Sequence, residues 1–256
     1  MYNIITLNTW KCEGDYLKRL NALTRHVREY DPDILLLQEA FQTLDNEFDT
    51  TRQIANDTGL TGISSTSRQK KRFLYNNYKD SYSNVSILSK FPILNYHTIS
   101  LPSNKEDGGR EAILAEIKLH NHLMLVCSLH LSHLKDGARL RLEQLLHILD
   151  HASLKKNYDG ILLGGDFNME VTNQDFDSIT REGYRIYDTF TPKENLDNHT
   201  LNTFNRKVKI DHILELRKSG LGIKVNHSCI VFQNPCNEFG IKISDHNGVL
   251  LNFSFE

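Results

Sequence analysis

Apolar residues fall along this chain in two rhythms. Runs of four to eight residues, mostly β-branched or leucine-rich, lie at 2–7, 33–37, 84–88, 112–119, 123–129, 160–163, 210–214 and 249–255. Most are bounded by Gly, Pro, Asn or Asp, and they read as strands. Ile34-Leu35-Leu36-Leu37 and Ile161-Leu162-Leu163 are unbroken, which suits strands covered on both faces. Helical spacing appears between them. Residues 16–29 put Leu17, Leu20, Leu23 and Val27 on one stripe, stopped by Asp31-Pro32. Residues 135–152 carry Leu140, Leu142, Leu145, Leu146 and Leu149, and 45–58 and 173–182 give weaker helices, the second ended by Gly183. Segments 64–79 and 195–209 are polar and basic-leaning and read as surface loops.

The order is strand, helix, strand, helix, several strands, a helix and more strands. It predicts two sheets packed face to face with helices outside, rather than a regular βαβ wheel. No internal repeat interrupts it, and one domain over 1–256 is expected. Hydrophobic residues at 39% and charged residues at 24% exclude disordered and low-complexity classes. The formal net charge of −2 argues against a dedicated non-specific nucleic-acid binder, which is usually basic. The opening MYNIITLNTW reads as a strand and not as a secretory leader. With no apolar run of about 18 residues, a cytoplasmic protein is expected. Cys12, Cys127, Cys229 and Cys236 form no C-x-x-C pair, so reduced thiols are expected, a Cys229–Cys236 zinc or disulfide site being the weaker alternative.

Six clusters place an acid, amide or imidazole at or near the end of an apolar run: Leu7-Asn8-Thr9-Trp10, Leu37-Gln38-Glu39, Leu129-His130-Leu131, Gly164-Gly165-Asp166-Phe167-Asn168, Ile210-Asp211-His212 and Ser244-Asp245-His246. Strand ends are where a rigid scaffold presents side chains to a shared cleft. A carboxylate such as Glu39, closing a buried strand, is costly unless it meets water, a cation or a donor. Asp166 and Asn168 flank Phe167; extended, they share one face, and two oxygen donors there suit Mg²⁺ and an anionic substrate. The same residues would also make an Asx turn after a strand. If the strand at 210–214 runs beside the C-terminal one, Asp211 would orient the His246 ring and raise its basicity. The other histidines among the twelve carry no such pattern. No G-x-x-x-x-G-K-[ST], G-x-S-x-G or H-E-x-x-H motif competes. Arg110 is a candidate phosphate fork.

Taken in order, the Asn near the N-terminus, QE, HL after a strand, GDFN, ID-x-I and SDH resemble the endonuclease/exonuclease/phosphatase superfamily. Arg110 before an apolar run and Arg141-Leu142-Glu143-Gln144 resemble its secondary features. The resemblance covers essentially the whole chain. It implies a four-layer α/β sandwich, two mixed sheets face to face flanked by helices, with a cleft at one edge holding Mg²⁺ or Mn²⁺. It implies Glu39 as the principal metal ligand, Asn8 as a metal or phosphate contact and Asp245 as a further metal-side carboxylate. Asp166 would orient or deprotonate water, and Asn168 and Arg110 would hold phosphate oxygens. His246 would activate the nucleophile or stabilise phosphorane charge, with Asp211 its partner. His130 sits where DNase- and sphingomyelinase-like members use a histidine against the phosphate and AP endonucleases tend to have tyrosine. Trp10 replaces an acid many AP endonucleases carry, and both departures point away from them.

The expected activity is metal-dependent hydrolysis of a phosphodiester or phosphomonoester by in-line water attack, by a monomer. Sphingomyelinase-like or metabolite phosphatase activity is the alternative to a nuclease, and a non-catalytic binding module on the same fold is the alternative to an enzyme. Segment 67–79 interleaves five basic residues with Phe73, Tyr75 and Tyr78. It could hold nucleic acid or be a solvated loop.

Overall fold

A computed structural model describes residues 1–152, 157–176, 179–181, 183–192, 194, 196–203, 206–218, 222–235 and 240–255. Along the chain run β1 (Tyr2–Asn8), α1 (Tyr16–Tyr30), β2 (Ile34–Thr43), α2 (Thr50–Thr58), β3 (Thr61–Ser64), β4 (Lys70–Leu74), β5 (Asn77–Ser89), β6 (Ile93–Leu101), β7 (Arg110–Leu119) and β8 (His122–His130). There follow α3 (Ala138–Ala152), β9 (Gly160–Asp166), α4 (Asn173–Phe176), β10 (Thr180–Arg181), β11 (Tyr184–Asp188), β12 (Leu201–Thr203), β13 (Arg206–Val208), β14 (Asp211–Arg217), β15 (Ile223–Val231) and β16 (Gly248–Phe255).

One sheet has the order β15-β16-β1-β2-β5-β3, with β4 also on β5; the other runs β10-β11-β14-β9-β8-β7-β6. Both are mixed: β1–β2 and β8–β9 are parallel pairs and the remaining pairs antiparallel. The unbroken apolar runs explain the layering. Ile4, Ile34, Leu36, Met124, Val126, Leu162 and Ile213 meet between the sheets. Their sequence neighbours Ile5, Leu35 and Leu37 face Leu20, Leu23, Val27 and Ile54 of α1 and α2. Leu125, Cys127 and Leu163 face Leu145, Ile148 and Leu149 of α3. The result is the expected four-layer sandwich of helix, sheet, sheet and helix. Among the described residues no helix is long and apolar enough to cross a membrane.

Several local expectations change. Segment 64–79 is not a loop. It holds strands and a two-residue hairpin turn, Tyr75-Asn76, both left-handed at φ 45° and 65°. That is the twist a tight hairpin requires, but no Asn-Gly pair announces it. Segment 195–209 likewise contains the β12–β13 hairpin. Among the described residues of the expected 173–182 helix, Asn173–Phe176 is helical, and Thr180–Arg181 pairs with β11. Leu17 and Leu142 point to solvent; α1 buries Tyr16 and Arg19 beside Leu20, Leu23 and Val27 instead. Cys12 and Cys127 are buried thiols. Cys236, and with it the Cys229–Cys236 alternative, lies outside the described residues.

Candidate active site

Strand register brings the distant motifs to one edge. His130 pairs with Asp166 across β8–β9, and Asp166 with Asp211 across β9–β14, so the three stand in one row. Asn8 ends β1 in the facing sheet, and its Nδ2 donates to Asp166 Oδ2 at 3.0 Å. Two glycines permit this approach. A Cβ on Gly164 would lie 2.4 Å from Leu36 Cδ1, and one on Gly165 would lie 2.0 Å from the Leu129 carbonyl oxygen. Beyond Asp166 the chain turns rather than extends. Asp166 Oδ1 accepts from Asn168 N at 2.8 Å, and Asn168 is left-handed at φ 52°. The Asx turn is therefore present, and Asn168 Nδ2 is turned to the Leu131 carbonyl at 3.1 Å.

His246 reaches the row from the segment before β16. Ser244 Oγ fixes that segment, donating to the Asn8 carbonyl at 2.6 Å and accepting from His246 N at 3.1 Å. Asp211 Oδ2 lies 2.8 Å from His246 Nδ1, and His246 Nε2 is 4.0 Å from Asp166 Oδ2. His130 Nε2 is 3.4 Å from that same oxygen. Thr200 Oγ1 accepts from the Ile210 and Asp211 amides at 3.0 and 3.1 Å, which pins the start of β14.

The electrostatics follow from burial. Desolvation, then the Asp211 charge, pushes the Asp166 carboxyl up to about 7, against His246, Asn8 and the Asn168 amide. Burial alone would neutralise His246. The charge and hydrogen bond of Asp211, with Asp166 and Asp245, outweigh it and raise the imidazole to about 10. His130 goes the other way: burial, then the charges of Arg110, Arg68 and Lys11, hold it well below its ordinary value. One carboxylate is thus flanked by a cationic and a neutral histidine.

Glu39 lies in a bulge of β2, where the pairing with β5 skips between Leu37 and Ala40, and it is left-handed at φ 55°. Bulges of this kind re-aim a side chain beside a site. The Lys11 ammonium sits 2.7 Å from Glu39 Oε1. Arg19 holds the intervening loop, bonding the carbonyls of Thr9, Trp10, Lys11, Glu13 and Ile243. Asp245 reaches solvent, yet partial desolvation raises its carboxyl, and the Glu39 charge adds to this. These observations fit a divalent cation: two mutually repelling carboxylates, one already holding an ammonium as a stand-in. Asp166, Asp211 and His246 also bring donor atoms within 4.8 Å of one another. There, however, His246 Nδ1 and Asp211 Oδ2 are engaged with each other, while Asp211 Oδ1 has no partner.

Arg110 does not meet the expectation of an open phosphate fork. Its side chain is 1% exposed. Its Nε bonds both Asp107 oxygens at 3.1 Å, Nη2 meets His133 Nδ1 at 2.7 Å, and Nη1 points to the His130 carbonyl at 3.4 Å. It braces the end of β8 from behind. His133, Asp107 and Arg68 are neighbours that the motif reading passed over. Arg68 is half-buried and left-handed at φ 55°, and its Nε is buried without a partner. Its charge acts on His130, His133 and Arg110. The basic run from residue 68 onward was the signal for it.

The profile of the Endonuclease/Exonuclease/phosphatase family matches residues 5–246. No curated protein matches the chain. Among solved structures it is similar to an endonuclease/exonuclease/phosphatase family protein from Leptotrichia buccalis C-1013-b, with 17% identity, all of both chains covered and a TM-score of 0.73. It is similar to the mannosyl-6-phosphatase of Bacteroides thetaiotaomicron, with 19% identity, both chains covered in full and a TM-score of 0.71. It is also similar to D. rerio TDP2 complexed with single strand DNA product, with 16% identity, 99% of this chain and 98% of that one covered, and a TM-score of 0.72. At these identities the structural likeness speaks for the fold.

Proposed function

The chain belongs to the endonuclease/exonuclease/phosphatase family, and from that premise we propose that it is a divalent-metal-dependent phosphoester hydrolase. The observation that carries the reading is the convergence on Asp166 Oδ2 of Asn8, His130 and the Asp211-held His246. The unit doing this chemistry is expected to span 1–256.

The scissile phosphate would lie between Asp166 and His246. Asp166 takes a proton from the attacking water; a base whose pKa is near 7 is well matched to neutral pH. A new oxygen–phosphorus bond forms as the bond to the leaving oxygen breaks. The His246 imidazolium, steadied by Asp211, faces the charge that builds on phosphorus. Asn8 and neutral His130 hold the Asp166 carboxylate, and Arg68, whose Nε has no partner, takes the phosphate-contact role expected of Arg110. Glu39, with Asn8 and Asp245, would hold Mg²⁺ or Mn²⁺. Bound there, the cation supplies charge neutralisation on the phosphoryl oxygens.

The mannosyl-6-phosphatase and the DNA-bound TDP2 on the same fold support phosphoester chemistry in both monoester and DNA settings. The test is hydrolysis of bis-p-nitrophenyl and p-nitrophenyl phosphate, with Mg²⁺ or EDTA, by the parent, Asp166→Asn, His246→Ala and the double variant. Groups that share one water and one phosphate act as a unit. The double variant should therefore be little slower than the worse single one. Fully multiplicative losses would assign the two residues to separate steps.

A further inference from the structure

A second concavity adjoins the cleft. It has a volume of about 290 Å³, and every described residue lining it is polar. His199, Asn202, Gln233, Lys242, Asp245 and Asn247 set its character. Asp245 and Asn247 flank His246 in sequence, so the pocket begins where the catalytic cluster ends. The walls are held in place. Asn247 N donates to the Thr200 carbonyl at 2.6 Å, and its Nδ2 to the His199 carbonyl at 3.1 Å. Leu201 bridges to His246, and Gln233 Nε2 holds the Asp197 carbonyl at 2.9 Å. Lys207 and His199 fix the Asp197 carboxylate.

The lining selects a chemistry. Carboxamides both donate and accept, as hydroxyl groups do. Among the described residues no Phe, Tyr or Trp ring lines the pocket to stack a base, and none of them forms an apolar wall that would bury an acyl chain. Among the described lining residues, a single ammonium against two carboxylates does not make a track for a phosphodiester backbone. The volume approaches the lower end of small-molecule sites, about 300 Å³. We propose that this pocket is the subsite for a polyhydroxylated ring, a hexose or cyclitol, whose phosphate lies at His246. The inference rests on the phosphoesterase reading and names its substrate class.

Binding and turnover separate the two ideas. In EDTA, saturation-transfer NMR would follow hexose 6-phosphates and inositol 1-phosphate against phenyl phosphate, with the parent and Asn202→Leu/Gln233→Leu. The ring protons should show contact with the parent. The double variant should bind the polyol phosphates about 10- to 100-fold more weakly, because two amides lose hydroxyl partners. Phenyl phosphate should bind both proteins alike. Asn202→Leu alone keeps the test readable if losing the Gln233 bond to Asp197 loosens the wall. It should give a smaller loss in the same direction. Equal affinity of the parent for polyol and phenyl phosphates, or equal weakening of both by the variants, would overturn the assignment. Retained polyol binding without any Mg²⁺-dependent hydrolysis of p-nitrophenyl phosphate would instead sink the phosphoesterase reading and leave the pocket standing.

Discussion

Replacing Asp166 by Asn should stabilise the metal-free fold at neutral pH while removing activity. The carboxyl moves from an ordinary 3.8 to about 7 on folding. Each unit is worth about 1.4 kcal/mol, so ionised Asp166 costs the native state about 4 kcal/mol at pH 8. The sign follows from the raised folded value: the stability is fully present below about pH 4 and is lost as pH rises through 7. Against this gain, both Asp166 oxygens accept hydrogen bonds, one from Asn8 and one from the Asn168 amide. An amide keeps only one acceptor, a loss of about 1–3 kcal/mol. The net gain is about 2 kcal/mol at pH 8, or about 4–8 °C in Tm for a chain of this size. Melting of the parent and Asp166→Asn, in EDTA from pH 5 to 8, reads it directly. The two should be near parity at pH 5 and diverge by about 1.4 kcal/mol per unit until they level near pH 7. A variant less stable than the parent by a constant margin at every pH would refute the reasoning.

Three further outcomes follow from the same geometry. In Asp211→Asn the main support for the His246 charge is gone, and burial drives the ring toward neutral. Its kcat/KM should fall about 100-fold below the parent's at pH 7, and that deficit should narrow toward acid pH as the ring takes up its proton, whereas the parent keeps its imidazolium until pH approaches about 10; superimposable pH–rate profiles would contradict this. Lys11→Met frees Glu39 of its ammonium and should tighten Mg²⁺ binding about fivefold by calorimetry, the worth of a partly exposed ion pair; unchanged or weaker binding would show that Lys11 does not compete. Gly165→Ala drives a methyl onto the Leu129 carbonyl oxygen, which backbone pairing cannot move aside. Urea denaturation should show a loss of about 3 kcal/mol or more, and a loss below about 1 kcal/mol would refute the close approach.

The strands that carry the site were the readable ones. β1, β2, β8, β9, β14 and β16 are buried on both faces, so their apolar runs stand out. The peripheral strands were not: β6 exposes five consecutive residues from Leu94 to Thr98, and its alternation is lost in polar side chains. The β4–β5 hairpin turns on two non-glycine left-handed residues, which no composition rule flags. Glu39 was legible as a strand-end acid, but the bulge that aims it depends on pairing with β5. The Asp211–His246 pair was legible from family order. The stacking of His130, Asp166 and Asp211 in one row depends on non-local register. Nothing in the sequence shows that Asp107, three residues upstream, closes over Arg110 in a buried ion pair. Arg68 was visible only as one member of a basic run.

The most direct test is a Mg²⁺ titration of bis-p-nitrophenyl phosphate hydrolysis by the parent and Glu39→Gln, with cation binding followed by calorimetry on the same samples. The expected result is saturable, EDTA-reversible hydrolysis by the parent. Glu39→Gln should remain folded but lose both Mg²⁺ binding and turnover, since a neutral amide no longer offers the cation a charge. Turnover by the parent in EDTA, or undiminished Mg²⁺ affinity in Glu39→Gln, would contradict the assignment of this site.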